Sequence, residues 1–125
     1  MATRGKSPWV PDRRDIIWID FTSLSGSQSG REMKEHHPML VLSPKAFNER
    51  TSLVIGLPMT TAEYNDTNPF AIKFTGAKGV VSYILGHQPK SFDWRVRRAK
   101  PHPWKHVPQD VLAAACATLN EIIEQ

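Results

Sequence analysis

Ile16-Ile17-Trp18-Ile19-Asp20-Phe21 is the stretch on which the fold turns. Five of its six residues are β-branched or aromatic, types that suit a pleated, half-buried surface, and Thr22-Ser-Leu-Ser-Gly-Ser-Gln-Ser-Gly30 follows at once. This pattern predicts a buried strand running into a loop. The next strand is expected at Met39-Leu-Val-Leu-Ser43. The connection from Thr22 to Pro38 exceeds the ~12–15 residues beyond which structureless loops are uncommon, so it is read as functional or mobile.

Working outward, Ser43-Pro44-Lys-Ala-Phe-Asn48 offers an N-cap serine and a proline at the first helical position, which predicts one short helical turn. Leu53-Val-Ile-Gly-Leu57 reads as a third strand stopped by Pro58, Phe70–Phe74 and Val80–Leu85 as two more, and Ser91–Ala99 as an edge-like strand. From Val111 the period changes. Val111, Leu112, Ala115, Leu119, Ile122 and Ile123 fall at helical spacing, and Pro108 suits the first turn. The expected architecture is mainly β with one helix: a small barrel of five or six short strands with a C-terminal helix packed on it. Ten prolines, at 8, 11, 38, 44, 58, 69, 89, 101, 103 and 108, permit long helices only in the gaps between them, and the last gap, 109–125, is the one with a helical pattern.

The chain of 125 residues carries 16 Lys+Arg against 12 Asp+Glu, a net charge of +4, with 40% apolar residues. That describes a single basic domain, 1–125, large enough to bury a core without metals or disulfides. The lone Cys116 excludes an internal disulfide, and its place beside Leu112, Ala115 and Leu119 reads as a buried, inert thiol. No apolar run has the length of a membrane span or the form of a signal peptide, so the expected compartment is the cytoplasm. The charge is local: residues 90–106 hold Lys90, Arg95, Arg97, Arg98, Lys100 and Lys105 against Asp93 alone.

Several segments together resemble the MazF/PemK family of toxin endoribonucleases. They are Val10-Pro11-Asp12 with Asp15–Phe21; Pro38–Pro44 with Phe47-Asn48; Pro58-Met59-Thr60; Pro69-Phe70; Gly79-Val80-Val81; Gln88, Lys90-Ser91, Asp93-Trp94-Arg95 and Arg97; and Val107-Pro108. The ordered set covers nearly the whole chain. The resemblance implies an SH3-like barrel of the CcdB/MazF/PemK kind, a homodimer, metal-independent cleavage of single-stranded RNA with no cofactor, and inhibition by a cognate antitoxin. Two departures stand out. Against the family pattern Gly-x-Glu-Gln-x-Gly-x-Arg-Pro, this chain reads Gly30-Arg-Glu-Met-Lys-Glu-His-His-Pro38, so Glu32 takes the family glutamate's place and His37 that of the catalytic arginine. The frequent Asp-Gln pair before Lys-Ser is His87-Gln88, and Leu85 stands where some members place a catalytic arginine.

Metal-free RNA cleavage needs a base for the 2′-hydroxyl proton, an acid for the leaving 5′-oxygen, and a donor for charge growing on the phosphate. An imidazole, with an ordinary pKa of ~6.5, serves as either. The expected pair is His37 with His87, with Thr60 as the donor, Glu32 as a competing base, and a 2′,3′-cyclic phosphate product. Each residue also has a plainer reading: a solvated loop histidine, a polar strand end, a turn hydroxyl and a loop charge. Arg31, Lys90, Arg95 and Arg97 are candidate RNA contacts, with Trp94 or Trp104 offering a stacking face; the plain alternative is a solvated strand with tryptophans in the core. Metal binding is not expected. His36 and His37 point to opposite sides of an extended chain, and Pro103 breaks the helix that would align His102 with His106. Two rivals remain open from sequence: a CcdB-like poison that binds DNA gyrase without cutting, and a family member that has lost catalysis.

Overall fold

The computed structural model describes residues 9–22 and 36–124. Within them seven antiparallel strands surround two cores: β1 (Asp15–Asp20), β2 (His36–Val41), β3 (Leu53–Thr60), β4 (Ala71–Thr75), β5 (Val81–Leu85), β6 (Lys90–Asp93) and β7 (Lys100–His106). Two helices complete the chain, α1 (Lys45–Thr51) and α2 (Gln109–Ile123). The strand order is β4-β5-β3-β2-β1-β7, with β6 also pairing β3. The mainly-β expectation with a C-terminal helix holds, as a strongly curled sheet capped by α2.

Side-chain alternation explains the two cores. On β1, Ile17 and Ile19 pack with Met39, Val41, Val54 and Trp94, while Ile16 points the other way to Leu40, Leu57, Met59, Phe74 and Ile84. The second group is closed by Ala115, fully buried on α2, with Val111, Leu112 and Leu119 around it. Ile122 and Ile123 overrun the core and are exposed, and Cys116 is half-buried rather than buried.

Strand β3 is the joint of the fold. Leu53–Gly56 pairs with β6, Gly56–Pro58 with β2, and Met59–Thr60 with β5. Glycine is required at 56 because a Cβ there would sit 2.2 Å from the Leu40 carbonyl oxygen. Pro58 does not stop the strand as expected; it lies where β3 is passing from one neighbour to the next, so a missing N–H is tolerated.

Two other boundaries move for identifiable reasons. Ser43 does not cap α1, whose N-cap is Pro44. The Ser43 hydroxyl instead donates to Asn48 Oδ1 at 2.6 Å and accepts from the Ile55 N–H at 2.9 Å. The edge strand expected over Ser91–Ala99 ends at Asp93, whose carboxylate accepts from the Arg95 and Val96 N–H groups and turns the chain. Strand β7 escaped the sequence reading because Pro101 and Pro103 interrupt it; at the end of the strand order, proline is permitted.

Candidate active site

Two of the expected catalytic residues line one cleft. His37 is the second residue of β2 and Thr60 the last of β3, and both lie just beyond the β2–β3 ladder, whose last pair is Met39↔Pro58. Alternation puts both side chains on the Val54 side of the sheet. They line a cleft of about 450 Å3 at the sheet rim, together with Thr61 and, from the Ile16 side, Trp18, His36, Met59, Ser82, His102 and Trp104. A larger depression of about 780 Å3, holding Glu63, Asp66, Lys73 and Tyr83, adjoins it through Thr61 and Val80. There Asp66 accepts from Tyr83 Oη and pairs with Lys73 Nζ, both at 3.1 Å, so its carboxylate is already engaged.

The local bonding prepares Thr60 as a donor. Its Oγ1 accepts from the Ala62 N–H at 3.1 Å, which fixes the side chain and leaves the hydroxyl proton for a ligand. Ser82 Oγ donates to the Thr60 carbonyl at 3.3 Å and steadies the strand end. His37 is exposed, and its ring meets the edge of Phe21 at 5.3 Å.

Behind the cleft, His102 is buried and burial pushes its imidazole below the ordinary value, so the ring is held neutral. Its Nδ1 accepts from the Trp104 N–H at 3.0 Å, which leaves the proton on Nε2. Asp20 lies opposite His36 on β1. Desolvation disfavours its charge, but hydrogen bonds from Thr22, with His36 and Arg97 nearby, outweigh it and hold the carboxyl below the usual range. Among the described residues no three His, Cys, Asp or Glu side chains converge as metal ligands.

Residues 12–123 match the model of the PemK-like, MazF-like toxin of type II toxin–antitoxin systems. The chain belongs to the PemK/MazF toxin family. It is 38% identical over 95 residues to the endoribonuclease toxin MazF of Escherichia coli K12, covering 74% of this chain and 78% of that one. Its structure is similar to that of MazF from Deinococcus radiodurans, with a TM-score of 0.76 at 33% identity, covering 94% of this chain and all of that one. The MazE–MazF structure from the same organism is also similar, with a TM-score of 0.75 at 30% identity over 93% of this chain and 97% of that one.

The remaining expected residues of this toxin fare differently. His87 is not among the residues that line the cleft. It follows β5 in a turn, packs on the Phe70 ring at 5.5 Å, and lies 3.3 Å from Gln88 Nε2. Within one chain, therefore, His37 and His87 are not the facing pair that the sequence led us to expect. Trp94 is corrected as a stacking face: it is only 6% exposed, its Nε1 donates to the Asn48 carbonyl at 2.8 Å, and Arg95 covers its ring at 4.2 Å. Arg97 donates to the carbonyls of Asp20 and Thr22 at 2.9 and 2.8 Å, so it ties β6 to the end of β1. Lys90 opens β6 opposite Gly56 and is half-buried. Glu32 and Arg31 lie outside the described residues.

Sequence reasoning missed Trp18, His36, Ser82 and His102 as cleft residues. One signal was present: on β1, alternation from the core residue Ile16 places Trp18 and Asp20 on the same side, toward β7. The partner ring was hidden in the proline-broken Pro101-His102-Pro103-Trp104.

Proposed function

We propose that this toxin is an endoribonuclease that cleaves single-stranded RNA in the His37–Thr60 cleft, by proton transfer and without a metal ion. The observation that carries the site assignment is that His37 and Thr60 line one cleft at the sheet rim, with the Thr60 oxygen already accepting one hydrogen bond and its proton available. In the reaction the 2′-oxygen loses its proton to a base and attacks phosphorus. The bond to the 5′-oxygen breaks, and an acid protonates that oxygen. The products are a 2′,3′-cyclic phosphate and a 5′-hydroxyl. Thr60 donates to the non-bridging phosphate oxygen as charge grows there. His37 makes one proton transfer, and Glu32, in the long β1–β2 connection, is assigned the other.

The family context of type II toxin–antitoxin systems and the likeness to a MazE–MazF structure support a cognate antitoxin as partner. A homodimer belongs to the same reading, and the apolar depression of about 270 Å3 lined by Leu42, Pro44, Phe47 and Ile55 suits a protein contact. RNA cleavage would arrest translation and growth.

The test is incubation of the purified toxin with a long single-stranded RNA in EDTA, followed by mapping of 5′ ends and analysis of the 3′ termini. Discrete sites ending in cyclic phosphate are expected, and they should vanish in His37→Ala. Intact RNA would leave a toxin that acts by binding alone.

A further inference from the structure

The cleavage chemistry uses one wall of the cleft. The opposite wall is a column of rings for which that chemistry has no role. At its base Gly76 closes one face of Trp104, since a Cβ at 76 would stand 2.6 Å from the indole. Phe74 meets the same indole edge-on at 5.8 Å. His102 follows, 4.9 Å from Trp104 between centroids, and Trp18 stacks on His102 at 4.8 Å with the planes 26° apart. The Trp104 N–H bond to His102 Nδ1 locks the middle of the column.

Trp18 is the last ring. One face is taken by His102, and the indole is only half-buried. It lines the catalytic cleft and also an adjoining depression of about 320 Å3, shared with His36 and Lys100. His36 lines both cavities as well, and its Nε2 is buried with no hydrogen-bond partner among the described residues. A buried, unsatisfied ring nitrogen calls for an explanation, and a ligand's polar edge supplies one. An indole face, an unpaired imidazole nitrogen and a cation around one cavity are what an unstacked nucleotide requires.

We propose that Trp18 is the floor of a nucleobase subsite beside the scissile phosphate. The base of a flanking nucleotide stacks on the Trp18 face turned away from His102, its polar edge meets His36 Nε2, and Lys100 neutralises an adjacent phosphate. His102 and Trp104 are positioning residues that hold the indole flat without touching RNA. The proposal rests on the nuclease reading of the same cleft. Every base has a π-face, so stacking gives affinity at this position and the contact with His36 gives selectivity.

The experiment uses a short RNA containing the mapped cleavage site, with the attacking 2′-hydroxyl replaced by hydrogen so that it binds uncut. Bases are removed one position at a time, and affinity is measured for wild type, Trp18→Ala and Trp18→Phe. One abasic position flanking the scissile bond is expected to weaken wild-type binding about ten- to hundred-fold. The same removal should cost Trp18→Ala almost nothing, while Trp18→Phe keeps most of the penalty. Urea midpoints check that both variants are folded. An abasic penalty as large in Trp18→Ala as in wild type overturns the subsite alone. A wild-type toxin that cleaves no RNA overturns the subsite together with the nuclease reading.

Discussion

Replacing Thr60 with valine keeps the side-chain shape and removes only the hydroxyl, so it separates two quantities. In the folded state the loss is the 3.1 Å bond from the Ala62 N–H. Thr60 is half-buried, so water can take over that donor, and the stability cost should be about 1 kcal/mol. In the transition state the loss is a donor to the charged phosphate. Removing such a donor from a water-excluded site costs about 100- to 1,000-fold in kcat; a rim cleft open to solvent puts Thr60 at the lower end, about 100-fold or ~2.7 kcal/mol. Thr60→Ser retains the hydroxyl and should stay within about fivefold of wild type, a loss of ~1 kcal/mol. The assay is single-turnover cleavage of a labelled RNA in EDTA with enzyme in excess, alongside urea denaturation of each variant. A valine variant that cleaves within a few-fold of wild type would refute the donor role. Serine and valine variants equally impaired would move the effect to the Thr60 methyl group.

Two further perturbations address the scaffold. Asn48 is fully buried; its Nδ2 donates to the Pro11 and Ser43 carbonyls at 2.8 and 3.0 Å, and its Oδ1 accepts from Ser43 Oγ. Asn48→Ala breaks three buried bonds and should cost about 3 kcal/mol, lowering the urea midpoint by about 2 M; no shift would contradict this account. His102 is held neutral by burial, with its folded pKa below the ordinary 6.5, so the unfolded chain binds more protons as pH falls. Its contribution is therefore fully present above about pH 6.5 and declines from there toward the folded value. Urea midpoints of wild type should fall faster between about pH 7 and pH 5 than those of His102→Gln; parallel profiles would contradict the assignment.

The strands legible in the sequence were those whose apolar run lay inside one ladder. Ile16–Phe21 announced β1 to within a residue because its core faces are filled on both sides. β7 was illegible because two prolines disguised an edge strand, and with it went His102, the ring that organises half the cleft. The early end assigned at Pro58 had a related cause: proline was read as a stop, whereas here it sits at an exchange of partners. For the proposed site, motif order pointed to His37 and Thr60, which both line the cleft because both lie at the ends of core strands. It misjudged Trp94, whose basic neighbours gave it the pattern of an RNA contact while its indole nitrogen was anchoring α1 to β6. Sequence spacing counts charge along the chain, and burial is decided by which face of the strand that charge accompanies.

The pairing of β2 with β3 has one more consequence. Directly opposite residues in an antiparallel ladder have Cα atoms about 4.5–5.5 Å apart, whatever side chains they carry. The spacing of Met39–Val41 from Gly56–Pro58 is thus written in main-chain hydrogen bonds, and the strand ends that carry His37 and Thr60 to the cleft are held on that frame. A change of side chain at either rim position leaves that main-chain frame as it was.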